Sequence, residues 1–224
     1  MRKPYPRPVS ARRRARQSGQ EIIEFGLVTL LYVPLLLGTF VTGMNLIRNI
    51  EVTHVCRDLG NMYIHGADFS TWAMQNQAAR LAVGLGLNVG SSFAGNQNTN
   101  NTATGRGVVI VSQVTFVGTP SCTAALPASC TNQNQYVFTQ RIVFGNAGLR
   151  TSNYGSPTGA VINSAGVVQN PVTDFAARAT NFSTNLQTQL NDGQFIYIVE
   201  VYFDSPDLAV SSLSPGGVYS RVFF

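Results

Sequence analysis

The sequence predicts an α+β fold in which a long N-terminal membrane-spanning helix continues into a domain built on an antiparallel sheet. Three observations point there. Phe25 to Ile47 is a run of twenty-three residues with no side chain charged at neutral pH, bounded by Glu24 and Arg48. Beyond it, apolar residues recur at irregular helical spacing as far as about His65. Further on, Val108–Val117, Tyr136–Phe144 and Phe195–Phe203 are each rich in β-branched and aromatic residues and bounded by turn-formers. With 44% hydrophobic and 11% charged residues over 224 positions, the chain has material for a sizeable core and is too apolar to be largely disordered.

The elements follow in chain order. Residues 1–19 form a basic leader, in which Arg2, Lys3, Arg7, Arg12, Arg13, Arg14 and Arg16 account for seven of the fifteen basic residues with no acid among them. Without these seven charges the net charge of +5 becomes −2, so the basicity belongs to the leader and not to the folded part. The other eight basic residues are spread out, with no aromatic-interleaved cluster on which bases would stack. No nucleic-acid partner is expected.

At about 1.5 Å per residue the run from Phe25 covers roughly 34 Å, against about 30 Å for the hydrocarbon core of a bilayer. It is longer than the apolar core of a cleaved secretory signal, roughly 7 to 15 residues, and it leads into LIRNIEVTHVCRDL, so a retained span of bilayer lipid is expected. Seven basic residues before the span, against Arg48 and Arg57 after it, place the N-terminus in the cytoplasm and the rest of the chain outside. Pro34 and Gly38 weaken the helix ladder and permit a bend at Pro34, while Gly38 and Gly43 permit close approach of a neighbouring helix. Thr39 and Thr42 are placed to satisfy freed carbonyls, and the alternative is that all of these are ordinary membrane-helix residues.

Ile47, Ile50, His54, Leu59, Met62 and Tyr63 carry the helix on to about His65, and Gly66 ends it. Residues 20–66 are thus read as the membrane-spanning helix and 67–224 as an extracytoplasmic domain. A second helix is expected over Thr71–Leu85, where Met74, Ala78, Leu81 and Leu85 share one face. Residues 88–107, rich in Asn, Gly, Ser and Thr, read as a flexible loop. The three strands follow, interrupted by a helical piece at about Thr173–Leu190 and closed by a C-terminal strand from Tyr219. The sheet is expected to bury one face against the outer half of the long helix.

At the junction RRRARQSGQEIIEF, the basic leader ends in Gly19, and Glu24 follows five positions later at the edge of the apolar run. This pattern resembles that of type IV prepilins, and most closely the TadE-like minor pilins or pseudopilins of the tight-adherence pilus. The resemblance rests on SGQEIIEF, on VPLLLG at the centre of the span, and on the helical continuation IRNIEVTHVCRDLGNMYIHG, with a weaker likeness at FIYIVEVYFDSPDLAV. It implies cutting by a prepilin peptidase between Gly19 and Gln20, which makes Glu24 the fifth mature residue, followed by Phe25. It also implies that the Glu24 carboxylate meets the free amine of a neighbouring subunit. A carboxylate at membrane depth costs up to roughly 2.5 to 3.5 kcal/mol at a helix centre, so assembly would compensate a charge disfavoured in one subunit alone. The alternative for Glu24 is a helix N-terminal acid favoured by the macrodipole.

Cys56, Cys122 and Cys130 are too few and too scattered for a zinc framework. Outside the cytoplasm, Cys122 and Cys130 in PSCTAALPASC read as a disulfide, with two buried thiols as the alternative. His54 and Cys56 diverge on a helix and do not share a metal. Gly84–Gly90 follows a helix rather than a strand, which argues for a helix end over a dinucleotide loop. Asp204 and Asp207 are sparse for calcium and read as a turn. No cofactor or catalytic site is expected. The expected function is that of a bacterial inner-membrane pilin-like subunit, whose partners are the peptidase, other pilin subunits, the pilus assembly platform and membrane lipid. The runner-up is an unprocessed single-pass anchor carrying a binding or adhesion domain.

Overall fold

The computed structural model describes residues 12–89, 105–124, 130–182, 190–204 and 216–224, with side chains from Gly19 onward. The chain divides into two compact units, Met1–Met44 and Asn45–Phe224, and the division falls inside one helix, α1 (Arg12–Ile64), of 53 residues. This helix ends where the sequence predicts. Gly66 takes φ +85°, its N–H donates to the Tyr63 carbonyl at 3.0 Å, and the Ala67 N–H donates to the Met62 carbonyl at 2.9 Å. That pair of bonds satisfies last-turn carbonyls and needs a left-handed residue, for which glycine carries no Cβ penalty.

Helix α2 (Trp72–Leu81) is capped by Thr71, whose side chain accepts from the Met74 N–H. A 3₁₀ turn, Val83–Leu85, follows it, so the expected helix over 71–85 is split near its end. Of the face expected to be shared, Met74, Ala78 and Leu85 pack into the helix-side core and Leu81 does not. Gln75, Ala78 and Ala82 are buried, whereas Leu81 is 49% exposed. The Gln75 amide donates to the Phe69 carbonyl at 2.8 Å, which satisfies a backbone acceptor and allows a polar side chain to be buried.

Four strands, β1 (Gly107–Val117), β2 (Gln135–Gly145), β3 (Phe195–Asp204) and β4 (Gly217–Phe223), form one antiparallel sheet in the order β2-β1-β3-β4. An irregularity between Gln113 and Val114 shifts the β1–β2 register by one residue. On one face, Val109, Val111, Ile142, Phe144, Val199 and Val201 pack with Val52, Val55, Cys56, Leu59 and Tyr63 from the C-terminal part of α1. Phe69 stacks on Phe144 at 5.6 Å between centroids. Each such side chain, fully buried, stabilises by roughly 1.5–3 kcal/mol. The other face carries a second core of Val114, Phe138, Ile196, Ile198, Tyr154 and Phe182.

Two expectations are corrected. Residues 90–104 of the loop predicted over 88–107 lie outside the described residues, but Gly107 belongs to β1 and Val89 is buried, because it fills the helix-side core. Of the helical piece predicted at 173–190, the first part is a 3₁₀ turn, Phe175–Ala177, and Arg178 and Ala179 pair with the sheet edge; Phe182 is helical, and residues 183–189 lie outside the described residues. The reason is an unfilled sheet edge. Strand β2 is at the margin, and Val137 and Gln140 form bridges to Arg178 and Val167, while the Ala179 N–H donates to the Tyr136 carbonyl at 2.8 Å. Edge pairing claims backbone groups that a helix would have used.

Cys122, on the short helix α3 (Thr119–Ala124), and Cys130 stand at disulfide distance, with Cα atoms 5.3 Å apart. Asp192 ties the start of α3 to the approach to β3 by accepting from the Gly118 and Ser121 amides, at 2.5 and 3.1 Å. Hydrogen bonds from Ser121, and then from the Gly118 amide, hold its carboxyl below the usual range. Closing the loop between Cys122 and Cys130 stabilises by about 2 to 3 kcal/mol in the chain-entropy view. Reduction is therefore expected to lower the urea midpoint of wild type and to leave Cys122→Ser unchanged. Identical midpoints for oxidised and reduced wild type would show that the bond does no structural work.

Candidate functional site

Gly19, Gln20, Glu24 and Phe25 all lie within α1 and are exposed. Gln20 and Glu24 are one helical turn apart on the same face, about 6 Å along the axis. The residues that follow are apolar on every side: Ile22, Phe25, Leu30, Leu31, Leu35 and Phe40 are each more than half exposed. A helix that is apolar all round belongs in a core or a bilayer, and within its own unit nothing covers it. By length and composition it is able to cross a membrane.

The helix is unbroken at Pro34. Proline has no N–H, so the Leu30 carbonyl lacks its ordinary partner. The Thr39 hydroxyl donates to Leu36 and the Thr42 hydroxyl to Gly38, so neither serves the carbonyl freed by Pro34, contrary to the role expected of them. A Cβ built on Gly19, Gly26, Gly38 or Gly43 would meet nothing within 4 Å. Phe25, Gly26, Thr29, Leu30, Val33 and Pro34 line a shallow apolar groove along one side of the helix, starting beside Glu24. Small residues at such a place let another helix approach closely.

The sheet unit holds a polar cluster that the sequence analysis missed. Arg141 on β2 and Glu200 on β3 alternate with core residues and therefore lie on the sheet face away from α1, at 2% and 1% exposure. Glu200 accepts from the Ser152 hydroxyl, the Asn153 amide at 3.1 Å and the Tyr219 hydroxyl at 2.7 Å. Arg141 donates to the Ser112 hydroxyl and the Gly155 carbonyl, both at 3.2 Å. Burial lowers the Arg141 guanidinium to about 10, and Glu200 offsets this only in part. Arg150 lies over the Tyr219 ring at 3.9 Å. A signal was present in the sequence, because each of two apolar strands, QYVFTQRIVF and FIYIVEVYF, carries a single charge.

Cys56 is buried and its thiol donates to the Val199 carbonyl at 3.3 Å; burial pushes it up to about 12, which keeps it protonated and unreactive. His54 is exposed, so the two do not meet. Asp204 ends β3, and Asp207 lies outside the described residues. Among the described residues no three of His, Cys, Asp and Glu gather as metal ligands would. The chain matches no protein-family model, no curated protein and no solved structure.

Proposed function

We propose that the chain is a prepilin-like subunit, a minor pilin or pseudopilin of the tight-adherence type, cut after Gly19 and assembled through α1 into a pilus or secretion pseudopilus. The observation that carries this reading is that a basic leader, Gly19 and Glu24 run in sequence into a stretch of α1 that is exposed and apolar on every side. A surface of that kind is stable in lipid before assembly and against other copies afterwards, so one segment serves both for storage and for filament packing. The groove beside Glu24 supplies a place for a neighbouring helix. In this reading the N-terminus is cytoplasmic and the sheet unit is on the far side of a bacterial inner membrane. The partners are the prepilin peptidase, other pilin subunits, the assembly platform and lipid.

Cleavage inside a helix requires the peptidase to open it locally. Gly19 is the weakest helix former at the junction, by about 0.8–1 kcal/mol relative to alanine. Wild type produced with an active prepilin peptidase is expected to begin at Gln20, and Gly19→Val to remain full length, as read by intact mass and N-terminal sequencing. If wild type keeps residues 1–19, the chain is instead an unprocessed anchor carrying a binding domain.

A further inference from the structure

A cavity of about 420 Å³ opens on the sheet face away from α1, between β1, β2 and the segment that follows β2. This size is at the lower end of the range of roughly 300–1,000 Å³ typical of small-molecule sites. Arg141 and Arg150 are among the residues that line it, and no Asp or Glu is. The Nε atoms of both are buried and have no hydrogen-bond partner. Both Nε atoms are closed off from the cavity, and what an incoming anion would meet is a wall that carries two cationic residues and no carboxylate.

The neighbouring carboxylate is not part of that wall. Glu200 is absent from the lining, and its oxygens are already engaged by Ser152, Asn153 and Tyr219. The two guanidiniums are also fixed in place. Ser112 and Gly155 hold one end of Arg141, and Tyr219 stacks under Arg150, so little side-chain entropy remains to be lost when a ligand binds. The depressed Arg141 value has the same origin, a cation in low dielectric with too little negative charge around it.

The remainder of the lining narrows the ligand. Thr151, Ser156 and Thr158 bring hydroxyl side chains to the lining at exposed positions, while Ile110 and Val143 form an apolar wall. We infer that the cavity binds a small hydroxylated oxyanion of monosaccharide size, with its carboxylate or phosphate on Arg141 and Arg150 and its hydroxyls towards Thr151 and Thr158. The planar guanidinium fork suits both oxyanions, and the neutral rim favours a hydroxylated body over a bare ion. The site lies wholly within residues 45–224 and does not depend on the pilin reading.

Isothermal titration of the full chain in detergent, with glucuronate, glucose 6-phosphate, inorganic phosphate and neutral glucose as probes, tests this inference. Saturable binding of glucuronate or glucose 6-phosphate is expected, at least tenfold tighter than glucose, and the tighter of the two identifies the oxyanion. Arg150→Gln, which removes one charge, and Ala160→Trp, which fills the cavity, are each expected to weaken that binding at least tenfold. No saturation by either organic anion up to about 10 mM, or equal affinity for glucose, would overturn the inference. So would unchanged affinity in either variant, or binding of inorganic phosphate alone. The comparison of probes on wild type decides the matter even if a variant fails to fold.

Discussion

Glu200→Ala is expected to lower the unfolding free energy by about 3–5 kcal/mol, the largest stability effect of any substitution considered for the sheet unit. The residue is 1% exposed and lies centrally on β3, where it accepts from Ser152, the Asn153 amide and Tyr219. Truncation leaves those three donors without an acceptor and removes the negative charge that acts on Arg141. The Arg141 cation cannot turn to water, because it is held against Ser112 and the Gly155 carbonyl. Ordinary domains have only about 5–15 kcal/mol in total, so such a loss consumes a large part of the stability. Chemical denaturation of the variant and wild type under identical conditions measures it. A difference below about 1 kcal/mol would mean that water reaches the cluster and compensates the charge.

Glu24→Val is expected to insert normally and to be cut after Gly19, yet to fall about tenfold or more in filaments. Removing a carboxylate beside an apolar run lowers the cost of insertion, so the membrane pool should not shrink. Glu24 also lies outside the 45–224 unit, so the fold of the sheet should not change. Under the proposed function, the substitution would remove the partner for the amine that cutting creates on a neighbouring subunit, a charge then left unpaired in low dielectric. The measurement is the protein in sheared filaments against that in membranes at matched expression. Equal partitioning of variant and wild type would reduce Glu24 to an acid favoured by the helix dipole.

Much of the architecture was legible in the chain itself. The end of α1 was readable at Gly66, because a left-handed closing residue is a local requirement that glycine meets without neighbours. The sheet strands fell within about two residues of their predicted limits, since β-branched and aromatic runs between turn-formers state their preference locally. The apolar run from Phe25 to Ile47 needs only length and absence of charge to be recognised as able to span a bilayer.

What tertiary structure alone decided was which groups meet across distance. Within the piece that carries a helical pattern after Thr173, Arg178 and Ala179 leave the helical course because the open edge of β2 accepts their backbone. On α2 the expected face packs at Met74, Ala78 and Leu85, but Leu81 is half exposed, and Gln75 is buried because the Phe69 carbonyl accepts from its amide. Arg141 and Glu200 stand fifty-nine residues apart as single charges in apolar strands, and nothing local says that they share a face. Only the order β2-β1-β3-β4 brings them together under the segment carrying Arg150 and Ser152. Periodicity and composition act between residues close in the chain, whereas burying a charge depends on partners that strand order supplies.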